Sequence, residues 1–184
     1  MKRLLSILIL FTFHLSTFAI STAYAEQALV PQTGQTTSYA AGDDGDVQEG
    51  VPWPNPRFTD NANGTITDNL TGLVWLKNGN CFGAQAWATA IASANGLASG
   101  VCGLTDGSTV GQWRLPNQKE LRSLVDLSGN SPAQPFTAVQ GSSYWSGSTV
   151  ANGTDSAWLV TFNGTVHYNY KTYYYYVWPV RSGQ

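Results

Sequence analysis

Few residues of this 184-residue chain have the types that bond-making chemistry requires. The acid–base candidates are Asp60, Asp68, Asp106, Glu120, Asp126, Asp155 and His167. General acid–base catalysis needs two groups poised on one substrate, and no pair here has a spacing that argues for it. Glu120 is accounted for as a helix cap, and Asp60 and Asp68 as turn formers. Ser146-Gly147-Ser148 lacks the G-x-S-x-G frame of a nucleophile elbow. Zinc would need ligands that Cys81, Cys102 and His167 alone do not supply. Asp43, Asp44 and Asp46 match no full calcium loop. Asp60-x-x-Asn63-Gly64 lacks the twelfth-position Glu of an EF-hand. The residues therefore predict no catalytic group, no metal and no cofactor: a non-enzyme.

What remains is binding chemistry. His167-Tyr168-Asn169-Tyr170-Lys171-Thr172-Tyr173-Tyr174-Tyr175-Tyr176 holds six tyrosines in ten residues. Strand side chains alternate, so four consecutive tyrosines cannot all enter one core. Tyr combined with Asn is also the composition of antibody binding loops, where rigid rings give contact area and hydroxyls adapt to polar partners. The bland alternative is a solvated sheet whose tyrosines pair across strands. The binding reading takes His167, Tyr168, Asn169, Tyr170, Tyr173, Tyr174 and Tyr175 as contacts, with Trp145 and Leu159 nearby. The other tryptophans, Trp53, Trp75, Trp87, Trp113, Trp158 and Trp178, are read as core. His, Tyr, Asn and Thr codons also lie one base from the Asn codon. Adenine-directed mutagenesis of an Asn-rich template would leave this pattern, as in variable proteins of diversity-generating retroelements.

The elements that must position this segment follow from pattern. Lys2, Arg3, the apolar run Leu4–Ile20 and Ala23-Tyr24-Ala25 read as a signal peptide over 1–25. Its removal leaves 159 residues, one ordinary domain. Without Lys2 and Arg3, seven basic residues face eleven acidic ones, a formal charge of −4. That excludes a nucleic-acid binder of the basic-patch kind. No second apolar run is long enough to span a bilayer, so no membrane insertion is expected after cleavage. Residues 26–50 lack hydrophobic periodicity and read as a flexible linker, with the domain over 51–184. Cys81 and Cys102 would form one bridge in an oxidising compartment. A loop of 20 intervening residues stabilises by roughly 3 kcal/mol in the chain-entropy account.

Asn63-Gly64 and Asn69–Gly72 mark turns around short strands, ending in Leu73-Val74-Trp75-Leu76. Ala84–Ala94 reads as a helix with Trp87, Ile91 and Ala94 on one face, stopped at Asn95-Gly96. Asn117 caps a second helix, with Glu120 completing a capping box and an end near Asp126. Tyr144-Trp145-Ser146, Ala157–Phe162, Thr165–Tyr170 and Tyr174–Arg181 read as strands, with Pro179 at an edge or bulge. Arg114 and Arg181 are read as structural, with Asp68 or Asp126 as possible partners. Two helices packed on antiparallel hairpins make an α+β domain.

The segments Arg57-Phe58-Thr59-Asp60, Asn63-Gly64-Thr65, Thr67-Asp68, Thr71-Gly72-Leu73-Val74-Trp75, Trp113-Arg114-Leu115-Pro116, Lys119-Glu120-Leu121, Tyr144-Trp145-Ser146, Ala157-Trp158 and Val177-Trp178-Pro179-Val180-Arg181 occur in this order. Together they resemble the Lcl C-terminal domain family, named for the C-terminal domain of a bacterial collagen-like adhesin. The resemblance covers roughly residues 57–181. It implies a C-type-lectin-like fold and a role in adhesion or ligand binding without known catalysis. The chain differs from the founding adhesin in having no Gly-X-Y repeats, and its acidity argues against sulfated glycosaminoglycans. The Glu-Pro-Asn, Gln-Pro-Asp and Trp-Asn-Asp signatures of calcium-dependent lectins are absent. Formylglycine-generating enzymes have a related fold and use cysteines, but here both cysteines flank a predicted helix.

The expectation is thus an exported bacterial module, in the periplasm, on the outer surface or secreted. It would recognise a glycan or a surface protein through its Tyr-rich C-terminal face. The alternative is a structural envelope protein that self-associates as a homo-oligomer, through exposed tyrosines and an open edge near the last strand.

Overall fold

The computed structural model describes residues 30–129 and 135–183. The expected signal peptide, 1–25, lies outside the described residues. Short helix α1 (Asp44–Val47) precedes strands β1 (Phe58–Asp60), β2 (Thr65–Asp68), β3 (Leu73–Leu76) and β4 (Ala84–Gln85). Helices α2 (Trp87–Asn95) and α3 (Gln118–Ser123) follow. Strands β5 (Tyr144–Val150), β6 (Gly153–Val160), β7 (Val166–Tyr170), β8 (Tyr175–Tyr176) and β9 (Val180–Ser182) complete the chain.

The strands form two sheets, β1-β2-β3-β9 and β4-β8-β5-β6-β7. This is the expected α+β architecture. Pairing is antiparallel except between β5 and β8, where Tyr144 faces Tyr176 in parallel. Local chemistry explains the turns. Between β1 and β2, Gly64 sits at φ +85°, and a Cβ there would lie 2.4 Å from the Gly103 carbonyl oxygen. Only glycine allows both the positive φ and that approach. Asp68 closes the β2–β3 turn by accepting from Leu70 N (3.1 Å) and Thr71 Oγ1 (2.8 Å).

Where β5 and β6 pair around Tyr144 and Val160, the five-stranded sheet packs on both faces, because alternation sends neighbouring residues to opposite sides. Tyr144 and Val160 join Ile66, Trp75, Leu121 and Trp178 in the larger cluster. Trp145, Ala157 and Leu159 join Ala90, Ala94 and Leu115 beside α2. The disulfide Cys81–Cys102 is formed and ties the segment before β4 to the loop after α2.

Several expectations are corrected. Ala84 and Gln85 form β4, so α2 starts at Trp87; its buried positions are Ala90 and Ala94, with Trp87 and Ile91 only half-buried. Helix α3 ends at Ser123, short of Asp126. The strand expected over Tyr174–Arg181 is broken in two. Val177-Trp178-Pro179 carries the chain between the sheets, and Pro179, which has no N–H, accepts from Leu76 N (3.1 Å). As expected, β9 is an edge strand: it pairs with β3 on one side, and on the other Val180 alone is bridged, by Arg114.

Residues 30–50 also differ from a linker. Trp53 Nε1 donates to Gln32 O (2.7 Å) and Leu127 N donates to Thr33 O (3.0 Å). The acidic residues of this segment organise the backbone. The Asp43 carboxylate accepts from Tyr39, Ala40 and Asp46 N–H groups, capping α1. Those bonds, led by Tyr39, hold its pKa below the usual range. Polar side chains order this segment without the apolar periodicity that sequence reading detects.

Candidate functional site

The tyrosine segment runs along β7, an edge of the five-stranded sheet, and then crosses to β8. Strand β7 is fixed against β6 in the register Ser156–Tyr170, Ala157–Asn169, Trp158–Tyr168 and Leu159–His167. The Asn163-Gly164 turn sets that register, with Gly164 N donating to Thr161 O (3.0 Å). The pleat then divides the segment. Tyr168 and Tyr170 share one face with Trp158. His167 and Asn169 share the other with Leu159.

Tyr168, Tyr170, Tyr173 and Tyr174 are 58%, 55%, 52% and 70% exposed, the largest aromatic exposure beyond Tyr39 among the described residues. Tyr168 meets Trp158 edge-on at 5.5 Å, and Tyr170 stacks with Tyr173 at 6.3 Å. The Trp158–Tyr168 pair stands between two shallow grooves. One, of about 370 Å³, is lined by Val150, Asn152, Gly153, Asp155, Ser156, Tyr168, Asn169 and Tyr170. The other, of about 340 Å³, is lined by Trp158, Ser148 and the start of α3.

The remaining expected contacts lie elsewhere. Trp145 is fully buried, and its indole N–H donates to Gln85 O (2.9 Å). It cannot touch a ligand; it backs Tyr175, whose ring meets it edge-on at 5.0 Å. Trp145 packs with Ala90 and Ala94 of α2, on the opposite side of β5 from Tyr144. Leu159 is buried for the same reason. Tyr175 is half-buried, and its hydroxyl accepts from Asn169 Nδ2 (2.8 Å). Asn169 Oδ1 accepts from Tyr170 N (2.8 Å), so the amide is engaged at both ends. His167 is half-buried, with Nε2 3.4 Å from Ser143 Oγ and Nδ1 enclosed without a partner among the described residues. His167 and Tyr175 are thus half-buried beside the face, and Asn169 both braces Tyr175 and lines the first groove.

Trp158 is the residue that sequence reading missed. It was placed among the core tryptophans, whereas Trp75, Trp113 and Trp178 are the fully buried ones. The detectable signal was register: Trp158 lies opposite Tyr168 if the Asn163-Gly164 turn is closed tightly.

Below the face, Lys171 is a clamp. Its Nζ donates to Thr149 Oγ1 and Thr154 O, both at 2.9 Å, and lies 4.0 Å from the centroid of a Trp87 ring. Its backbone N donates to Asp155 O (2.8 Å), joining the β5–β6 hairpin to the end of β7. The acid–base candidates are dispersed. Asp60 pairs with Lys77, Asp68 with Arg57, Asp106 with Arg181 and Glu120 with Arg114. Arg114 and Arg181 are structural, with Glu120 and Asp106 as partners in place of Asp68 or Asp126. Among the described residues, no three His, Cys, Asp or Glu side chains converge as a metal site.

Fold and surface together define a small, disulfide-pinned α+β domain that presents an aromatic face. Residues 64–181 match the Lcl C-terminal domain, and the chain belongs to that family. No curated protein matches the chain.

Proposed function

We propose that this protein is an exported, non-enzymatic recognition domain of adhesin type. Its fold is of the C-type-lectin kind, and it binds a glycan or a surface protein. The observation that carries this reading is the exposure of Tyr168, Tyr170, Tyr173 and Tyr174, with Tyr168 set against Trp158 and Tyr170 stacked on Tyr173. Solvent-facing aromatics grouped on a rigid strand mark recognition surfaces more often than isolated ones do. Family membership supports an adhesin-like domain. Export is supported by the disulfide and by the N-terminal signal pattern. No helix among the described residues is long and apolar enough to cross a membrane.

The test is a glycan and surface-protein array probed with the mature domain, beside a variant in which Tyr168, Tyr170, Tyr173 and Tyr174 are Ser. Binding by the parent, lost in a still-folded variant, is the expected result. Equal binding by both would remove the aromatic face from the function.

Self-association is a second reading, favoured by β7 as an edge strand without formal charge on its side chains. Concentration-dependent oligomers that vanish in the same variant would select it. Diversification is a third. A near-identical template repeat beside a reverse-transcriptase gene would support it.

A further inference from the structure

The groove beside Tyr168 and Tyr170 has a charge sign, and that sign restricts its ligand. Asp155 is the one charged residue that lines it. Asp155 Oδ1 accepts from Ser156 Oγ (3.1 Å), which orients the carboxylate and leaves Oδ2 with no bond from a described residue. Lys171, which follows β7, is held on Thr149, Thr154 and Trp87 and does not line the groove. Asn152 is exposed on the rim with its amide unengaged by described residues. The groove therefore offers two ring faces, two phenol hydroxyls, one amide and one carboxylate oxygen.

Resting on the recognition reading, we infer that this groove takes a saccharide without sulfate or carboxylate, and prefers one bearing an amine. A pyranose ring has an apolar C–H face and a polar rim, which matches aromatic rings bordered by hydroxyl, amide and carboxylate groups. At about 370 Å³ the groove is at the lower end of the ligand-site range, roughly 300–1,000 Å³, a size for sugar rings rather than a helix. A sulfate there would meet the Asp155 carboxylate with no cation from the groove lining to offset it. Like charges brought together in a partly desolvated site cost affinity. An ammonium group would instead pair with Oδ2. The walls are preorganised by the Lys171 clamp and the Asn169–Tyr175 bond, so little ordering accompanies binding.

The experiment titrates the mature domain with a glucosamine oligosaccharide, its N-acetylated counterpart and a sulfated counterpart. Asp155→Asn and a Tyr168→Ser/Tyr170→Ser double variant are run alongside. Asn keeps an oxygen for Ser156, so Asp155→Asn removes charge and preserves shape. The expected result is binding in the order amine, N-acetyl, sulfated. Asp155→Asn should reduce the amine preference by about twofold to fivefold, the range of an exposed ion pair. Rising salt should erase the same preference. Tightest binding of the sulfated sugar, or an amine preference unchanged in Asp155→Asn, overturns the inference. Failure of all three sugars while a protein partner binds through Tyr168 and Tyr170 also overturns it and leaves the recognition reading standing. Sugar binding unaffected by the double variant overturns both.

Discussion

The Glu120 carboxylate grips both terminal nitrogens of Arg114 at 2.7 Å and also accepts from Asn117 N at 2.8 Å. One side chain therefore closes the capping box of α3 and anchors the residue whose backbone pairs with Val180 of β9. Burial raises the Glu120 pKa. The Arg114 hydrogen bonds, the Asn117 N–H and the Arg114 charge together outweigh it and leave the pKa below its ordinary value of 4.5. A lowered folded pKa contributes stability above the unfolded value, and that contribution disappears as pH falls through the folded one. Glu120→Gln keeps an acceptor for the cap and removes the ion pair, at a cost of about 0.5–1 kcal/mol for a partly exposed pair. Glu120→Ala removes both, at about 1–2 kcal/mol. Denaturant titrations at pH 7 should give that order. As pH falls below the ordinary carboxylate range the gap between parent and Glu120→Gln should narrow, and a constant gap would contradict the role given to the charge.

Arg57 is the more sensitive cation. It is 8% exposed and faces the fully buried Asp68 at 3.4 and 3.5 Å. Its guanidinium also stacks 4.0 Å from a Trp53 ring centroid and donates to Ser123 O. Removing it leaves Asp68 buried without its cation. Arg57→Ala should cost about 3–5 kcal/mol, the range for breaking a buried pair from one side. Arg57→Lys keeps the charge and loses the stack and the fork, so thermal melting should place it between the parent and Ala. A Lys variant as stable as the parent would show that charge alone matters.

Gly34 decides whether residues 30–50 belong to the folded unit. It sits at φ +88°, and a Cβ there would lie 2.5 Å from Asp126 Oδ1 and 2.6 Å from Trp53 Cη2. Gly34→Ala combines backbone strain with a clash and should cost about 1–3 kcal/mol. Deleting residues 26–50 removes the Gln32 acceptor of the Trp53 indole and should lower the melting temperature too. If neither change alters melting, the segment is a linker after all.

These cases show what the residue pattern makes legible. Asn117 with Glu120, Asn163-Gly164 and the cysteine pair are local signals, and each forms as expected. The exposure of Tyr168 and Tyr170 follows from the period of a strand. The partners of Arg114 and Arg181 were not legible, because ion pairs between distant elements depend on how sheets pack. Trp145 and Trp158 were exchanged for a related reason. Both lie on apolar strands, and only the placement of α2 over one end of the sheet decides which is covered. The N-terminal segment was missed because its order comes from carboxylates on backbone N–H groups, which leave no hydrophobic period.

Trp158 and Trp178 provide the sharpest separation of binding from folding. Trp178 is fully buried, meets Trp75, Phe136, Tyr144 and Phe162 within 6.0 Å, and donates to Leu76 O at 2.7 Å. It joins the two sheets, and its truncation to Ala should cost about 3–5 kcal/mol, as for a large core aromatic. Trp158 is half-buried and makes one ring contact, with Tyr168. Its truncation leaves a surface notch that water fills, so stability should fall by about 1 kcal/mol or less. The Tyr168 ring would lose the neighbour that fixes its rotamer, and any ligand stacked there would lose one wall. Trp158→Ala should therefore weaken binding at least tenfold with near-parent unfolding, whereas Trp178→Ala should lose both together. Matched denaturation and binding titrations on the two variants decide this. Trp158→Ala with unchanged affinity would confine the binding face to the tyrosines beyond the pair.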